Sequence, residues 1–268
     1  MTAIPKALSI AGTDPSGGAG VQADLKAFSA LGAYGMTVIT ALVAQTTTGV
    51  RSIHEVPAEF VTEQLDTLLT DVPADTVKIG MLSDSRVIRA VASALRTYGP
   101  PYVVLDPVMV AKSGDRLLAE EAVASLREEL LPLADLITPN LPEAADLLGE
   151  PEAKTLTEMH EQARRLRELG ARRVLLKGGH LDGDICVDVL LTEDGETELS
   201  APRVTTRNTH GTGCTLSSAI AALRPRHDDW PGAVRAAKEY LTGALRAADT
   251  LNVGHGRGPV HHFHALWP

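Results

Sequence analysis

Ala7-Leu8-Ser9-Ile10-Ala11 runs straight into Gly12-Thr13-Asp14-Pro15-Ser16-Gly17-Gly18-Ala19-Gly20, after which Val21, Leu25, Phe28 and Leu31 recur at steps of four, three and three. A short apolar run, a loop with four glycines and a one-sided helical stripe make a strand–loop–helix unit. The same succession repeats along the chain. Further strands are expected at Met36 to Ala44, Thr76 to Ile79, Tyr102 to Leu105, Leu136 to Thr138, Arg173 to Leu176 and Ile185 to Leu191, and a second helical stripe at Val234, Ala237, Leu241, Leu245 and Ala248. Such alternation predicts an α/β fold of stacked βα units around a mostly parallel sheet. The 268 residues suffice for one large core, and no composition shift or low-complexity linker divides them, so residues 1–268 are expected to form a single domain.

Composition excludes several classes. Thirty-four acidic against 25 basic residues give a net charge of −9, with no basic cluster longer than Arg172-Arg173, so a nucleic-acid backbone would be repelled. Apolar runs such as Ala41 to Ala44 fall far short of the roughly 18 residues a membrane helix needs. Met1 to Lys6 carries no signal-peptide core, and Cys186 and Cys214 form neither a CxxC pair nor a disulfide framework, so a reducing cytoplasm is expected.

Gly12, Gln45, Gly80, Asp106, Asn140, Lys177 and Gly211 each follow an expected strand or precede a helix, at gaps of 33, 35, 26, 34, 37 and 34 residues. Ligands of open parallel sheets sit beyond the carboxyl ends of the strands, so these positions should converge. Gly18-Ala19-Gly20-Val21-Gln22-Ala23 matches the dinucleotide fingerprint, but the next strand ends in Val43-Ala44-Gln45 without its acid and the acid after it is Glu55, which demotes a nicotinamide dehydrogenase. No Gly-Lys-Ser/Thr follows, so the loop is not a Walker A loop either.

Asn208-Thr209-His210-Gly211-Thr212-Gly213-Cys214-Thr215-Leu216-Ser217 is a glycine-rich turn entering a helix of small residues. Its unpaired amides suit an anion that gains or spreads charge during reaction. The same place lowers a thiol pKa, which makes Cys214 a candidate base or nucleophile, against a reading as a small packed cysteine. Asp106, after Val103-Val104-Leu105, suits a Mg²⁺ held through water or a turn cap. Asn140 and Glu143 flank a helix start, where they either cap it or position a hydrated metal. Lys177, ending a buried strand, is a candidate phosphate ligand. Lys112-Ser113-Gly114-Asp115 is a lid candidate. His261, His262 and His264 lack a nearby Cys or carboxylate, and no metal is assigned to them.

Together these blocks, with Gln22-Ala23-Asp24-Leu25-Lys26, Thr40-Ala41-Leu42-Val43-Ala44-Gln45, Lys78-Ile79-Gly80-Met81-Leu82, Leu105-Asp106-Pro107-Val108-Met109, Thr138-Pro139-Asn140-Leu141-Pro142-Glu143 and Leu176-Lys177-Gly178-Gly179-His180, resemble the bacterial hydroxymethylpyrimidine/phosphomethylpyrimidine kinases of thiamine biosynthesis. The resemblance runs in order along the chain, to Gly258-Pro259-Val260-His261-His262. It implies a ribokinase-like three-layer α/β/α sandwich, assembled as a homodimer. It also implies Mg-ATP used twice, first on the hydroxymethyl group of 4-amino-5-hydroxymethyl-2-methylpyrimidine and then on the monophosphate. By the same resemblance Gln45 reads the aminopyrimidine edge, Met81 and Val108 form apolar walls, and Ala19 and Asp24 lie near the ring. Cys214 is the general base, Gly211, Thr212 and Gly213 form the anion hole, Asp106 and Glu143 bias the Mg²⁺, and Lys177 contacts ATP phosphate. Competing readings are a pyridoxine or pyridoxal kinase and a non-catalytic pyrimidine-binding module.

Overall fold

The computed structural model describes residues 3–109 and 120–267. The lid candidate at 112–115 lies outside them. Eight strands form one sheet: β1 (Lys6–Ala11), β2 (Tyr34–Ile39), β5 (Thr76–Ile79), β6 (Val103–Leu105), β7 (Leu136–Ile137), β8 (Val174–Leu176), β9 (Ile185–Thr192) and β10 (Gly195–Pro202). Their spatial order is β10-β9-β8-β7-β6-β5-β1-β2. From β2 to β8 every neighbour is parallel, and β9 and β10 close the far edge as an antiparallel pair.

Alternation along the strands explains the layers. Val103 and Leu105 point to one face with Val77, Ile79, Val174 and Leu176, where they meet α2 (Ala58–Asp71), α3 (Ser85–Tyr98), α5 (Leu141–Leu148) and α6 (Leu156–Glu168). Val104, Leu136 and Leu175 point to the other and meet α1 (Gly20–Ala30), α7 (Thr212–Leu223) and α8 (Trp230–Arg246). Strands buried on both faces require apolar side chains at every position, hence runs such as Val103-Val104-Leu105. Helix ends are fixed locally: Asp84 accepts from the Arg86 and Val87 amides at the start of α3, and Asp229 from Gly232 at the start of α8. The remaining helix, α4 (Glu120–Ser125), runs into a wide turn ending at Leu130.

The expected strand from Met36 to Ala44 is in fact two. At Thr40 the chain leaves the sheet: its amide still donates to Ala11 (3.1 Å) and its hydroxyl to the Met81 carbonyl (2.8 Å), but β3 (Ala41–Thr46) pairs with β4 (Gly49–Glu55) in a separate antiparallel hairpin. Gln45 therefore lies within a hairpin strand and not at the end of a sheet strand. The strands β4 and β10 escape sequence reading because Arg-Ser-Ile-His-Glu and Gly-Glu-Thr-Glu-Leu-Ser carry few apolar residues and are largely solvent-facing.

Candidate active site

The chain runs outward from β1 in both directions, to β2 on one side and β5 on the other, so the sheet has its topological switch point there. The loop 12–20 emerges beside it, with the methyl of Met81 packed over Gly12. Asp14, buried, organises this loop. One carboxylate oxygen accepts from the Ser16 amide (2.9 Å) and hydroxyl (2.7 Å), and the other from the Ala19 amide (2.8 Å) and a ring nitrogen of His210, Nε2 (2.7 Å). Burial favours protonation, but hydrogen bonds from His210, Ser16 and Gln45 outweigh it and hold this carboxyl far below the usual range. Asp14 thus ties the loop to the turn before α7 through His210, and Thr13 ties it to the β3–β4 hairpin, its amide donating to the Ala41 carbonyl (2.9 Å) and its hydroxyl accepting from the Val43 amide (3.0 Å).

That turn brings the helix N-terminus to the same mouth. Gly211 has φ +76°, and a Cβ on it would run into the Gly18 carbonyl, so the loop and the turn touch backbone to backbone. Thr212, Gly213 and Cys214 supply first-turn amides, which a helix cannot pair internally. A Cβ on Gly213 would stand 3.3 Å from Lys177 Nζ and 3.5 Å from Asp106 Oδ2, which places both charges beside those amides. Lys177 Nζ donates to Asp106 Oδ1 (2.9 Å) and lies 3.8 Å from Glu143 Oε2. Burial alone would lower its ammonium, but Asp106 and Glu143 raise it to about 12.

Asp106 also accepts from Thr138 (3.0 Å) and Ser217 (3.3 Å). Burial opposes its charge, yet Lys177 and Lys78 hold its carboxyl low. Glu143 differs: burial first, and the Asp106 charge with it, push its carboxyl up to about 7 against the pull of Lys177. Asn140, expected at the cofactor, has its side-chain oxygen committed to the Glu143 amide (2.8 Å) while Glu143 Oε2 accepts from the Asn140 amide (2.8 Å). The pair is a capping box for α5.

Two expectations are corrected. Asp24, expected near the ring, is fully buried, its oxygens occupied by Lys78 Nζ (2.9 Å to each), Ser9 Oγ (2.5 Å) and Ser218 Oγ (2.6 Å). It braces the site from behind and has no surface to offer a ligand. Cys214, expected to have a lowered thiol pKa, has it pushed up to about 11 by burial, with Lys78 and the Gly20 amide pulling the other way. At neutral pH it is a thiol.

Beside the hairpin Met81 packs with Ala41 and Val43, and Val50 and Val108 border them. Side chains of one strand alternate, so Gln45 shares the hairpin face of Ala41 and Val43. Ala19 precedes α1 and its Cα stands 3.3 Å from where a Cβ on Gly211 would lie. The hairpin of Gln45 and the turn before Cys214 are thus held to the two ends of one loop: Thr13 bonds to Ala41 (2.9 Å) and Val43 (3.0 Å), and Gly18 abuts Gly211. Sequence reasoning passed over Asp14, His210 and Lys78. An Asp-Pro-Ser-Gly run does signal a carboxylate that caps its own loop, whereas nothing local points to the partners of His210 or Lys78. Among the described residues no cluster of three or more His, Cys, Asp or Glu could hold a metal ion. His262 bonds instead to Thr215 Oγ1 (2.9 Å) and His261 packs edge-on against Trp267.

The family model described as phosphomethylpyrimidine kinase matches residues 14–261. The chain is 61% identical over 261 residues to the hydroxymethylpyrimidine/phosphomethylpyrimidine kinase of Escherichia coli (strain K12), covering 97% of this chain and 98% of the relative. In structure it is similar to Bacillus subtilis pyridoxal kinase in its ADP complex (TM-score 0.91, 37% identity, 99% of this chain and 100% of that one). It is also similar to the phosphomethylpyrimidine kinase of Clostridium difficile 630 (TM-score 0.79, 42% identity, 91% and 100%).

Proposed function

This chain belongs to the phosphomethylpyrimidine kinase family and is a kinase of hydroxymethylpyrimidine and its monophosphate in thiamine biosynthesis, and from that premise we propose how its residues divide the work. The supporting observation is that one loop, 12–20, is bonded through Thr13 to Ala41 and Val43 of the hairpin that carries Gln45, and through Asp14 to His210 of the turn that carries Cys214. The pyrimidine lies against Met81 and Val108 and the ATP γ-phosphate against the amides of Gly211 to Cys214. Asp14, ionised, accepts only, so Gln45 turns its NH₂ toward it and leaves its carbonyl for the 4-amino group of the ring. Lys177 neutralises phosphate charge, and Cys214 orients the attacking hydroxyl. Phosphoryl transfer through a loose transition state demands little base strength, so a thiol is adequate there and the alcohol proton leaves late.

The acidic pair fits a hydrated Mg²⁺ that arrives with the nucleotide. Asp106 already has Lys177, Thr138 and Ser217 on its oxygens, which leaves room for contact through water and little for a stripped ion. Such an ion would add positive charge on the phosphates. A homodimer built on the β3–β4 hairpin is supported by exposed Leu42 and Ile53. A cytoplasmic location is supported by two free cysteines.

Mass analysis of the protein incubated with Mg-ATP and hydroxymethylpyrimidine should show monophosphate and then diphosphate. Gln45→Ala should raise KM for the pyrimidine by about 5- to 150-fold, since an unmatched polar edge costs about 1–3 kcal/mol. Lys177→Met should chiefly lower kcat. If both variants moved the same constant, this division of labour would be wrong. Similarity to pyridoxal kinases favours a second reading, turnover of pyridoxal, and kcat/KM on the two rings side by side decides it.

A further inference from the structure

The site draws on three segments distant in sequence: loop 12–20, the β3–β4 hairpin and the turn before α7. A fourth segment, after α8, touches all of them. The Gly256 amide donates to Thr47 Oγ1 (3.1 Å) and the Arg257 amide to the Thr47 carbonyl (3.0 Å), and Thr47 lies in the tight turn joining β3 to β4. The Gly258 amide then donates to Asn208 Oδ1 (2.9 Å), and its carbonyl accepts from the His210 amide (3.0 Å). Pro259 pairs with His210 as an isolated bridge, and its Cβ is 3.0 Å from where a Cβ on Gly18 would lie. Finally His262 bonds to Thr215 on α7; burial keeps its ring pKa down at about 3, so it is neutral at physiological pH.

The fit leaves no room for a side chain at the crossing. A Cβ on Gly256 would run into the Thr47 carbonyl and stand 2.9 Å from the Thr48 nitrogen, backbone atoms that cannot rotate aside. The hairpin needs such a hold. Among the described residues it is a two-stranded sheet that pairs with no other strand; Thr13 holds its base at Ala41 and Val43, and because isolated hairpins are marginal in water its tip at Thr47 depends on a second contact.

We propose that residues 254–262 are a strap that sets the spacing between the ring-reading hairpin and the phosphate-binding turn, which makes Thr47 and Gly256 positioning residues for pyrimidine recognition. Neither touches the reacting atoms. They act through Gln45, two residues before Thr47, so the proposal rests on the reading of Gln45 as the pyrimidine contact. Displacing a reacting group by about 1 Å can cost on the order of 100-fold, so a slack tether would be felt in the constants.

The test compares KM for hydroxymethylpyrimidine, KM for ATP, kcat and melting temperature in wild type, Thr47→Val, Thr47→Ser, Gly256→Ala and Gln45→Ala. Thr47→Val removes the oxygen that Gly256 uses and keeps the shape. It should raise KM for the pyrimidine about fivefold, the loss of one neutral hydrogen bond, with KM for ATP and kcat within about twofold. Thr47→Ser should restore the wild-type values. Gly256→Ala should raise the same KM by about tenfold or more; should it fail to fold, the two Thr47 variants decide alone. The strap is refuted if Thr47→Val leaves the pyrimidine KM unchanged, or if it shifts both KM values and kcat together with the melting temperature and serine does not restore them. Gln45→Ala separates the two claims: an unchanged pyrimidine KM in that variant overturns the site reading, whereas a raised one beside an inert Thr47→Val overturns only the strap.

Discussion

Because burial holds the Cys214 thiol at about 11, the activity of this kinase should show no thiolate inflection near the ordinary cysteine pKa. Alkylation by iodoacetamide at pH 7.5 should be slow. Cys214→Ala should lower kcat by about fivefold, the loss of one orienting hydrogen bond, with little change in pyrimidine KM. A rate that tracks a titration near pH 8.5 would contradict this. Glu143 carries the opposite sort of shift for a carboxyl. Its folded value of about 7 lies above its ordinary 4.5, so the folded state holds the proton more tightly. Its contribution to stability is full below about pH 4.5 and is lost as pH rises through 7. Glu143→Gln should therefore melt higher than wild type at pH 8, with the gap closing toward pH 5; melting curves at the two pH values check it. The residues that meet at this mouth were legible because Asp106, Lys177 and Gly211 each follow an apolar strand or open a helix. Their protonation was not, because a thiol at a helix start reads as lowered until its partly buried surroundings, which disfavour the thiolate, are known.

At the scale of elements, the β3–β4 hairpin was the least legible part. Read as one strand from Met36 to Ala44, it gave no sign that Thr40 turns the chain out of the sheet. A register shift between Ala44 and Gln45 brings Val50 opposite Gln45, while Ala44 faces Ser52, so Arg51 is left over. Without that bulge Gln45 would sit opposite Arg51. A one-residue slip of this kind leaves no trace in hydrophobic periodicity. The hairpin also carries the proposed dimer contact. Sedimentation of the wild type should give a dimer, and Leu42→Asp with Ile53→Asp should give a monomer. A wild-type monomer at micromolar concentration would dispose of that proposal.

Across the whole molecule, βα units around a mostly parallel sheet were legible from alternating strands and helices, and the layers of a sandwich came only from the family resemblance. What joins the layers beneath the site was not, since Lys78 in Thr-Val-Lys-Ile reads as a misplaced charge until Asp24, 54 residues earlier, is found against it. Burial would lower that ammonium, but Asp24 outweighs it, and the pair with Ser9 and Ser218 connects β1, α1, β5 and α7. Asp24→Asn should cost about 3–5 kcal/mol, the usual result of stranding one buried charge. Denaturant titration measures it, and a loss below about 1 kcal/mol would mean that the pair contributes little. Counter-ions cannot enter a contact whose two side chains have 0% exposure, whereas Lys177, at 13%, stands at the open mouth. The brace should thus be indifferent to ionic strength while nucleotide affinity, with Lys177 on phosphate as proposed, should weaken as salt is added, so that scaffold and phosphate grip answer to different properties of the surrounding solution.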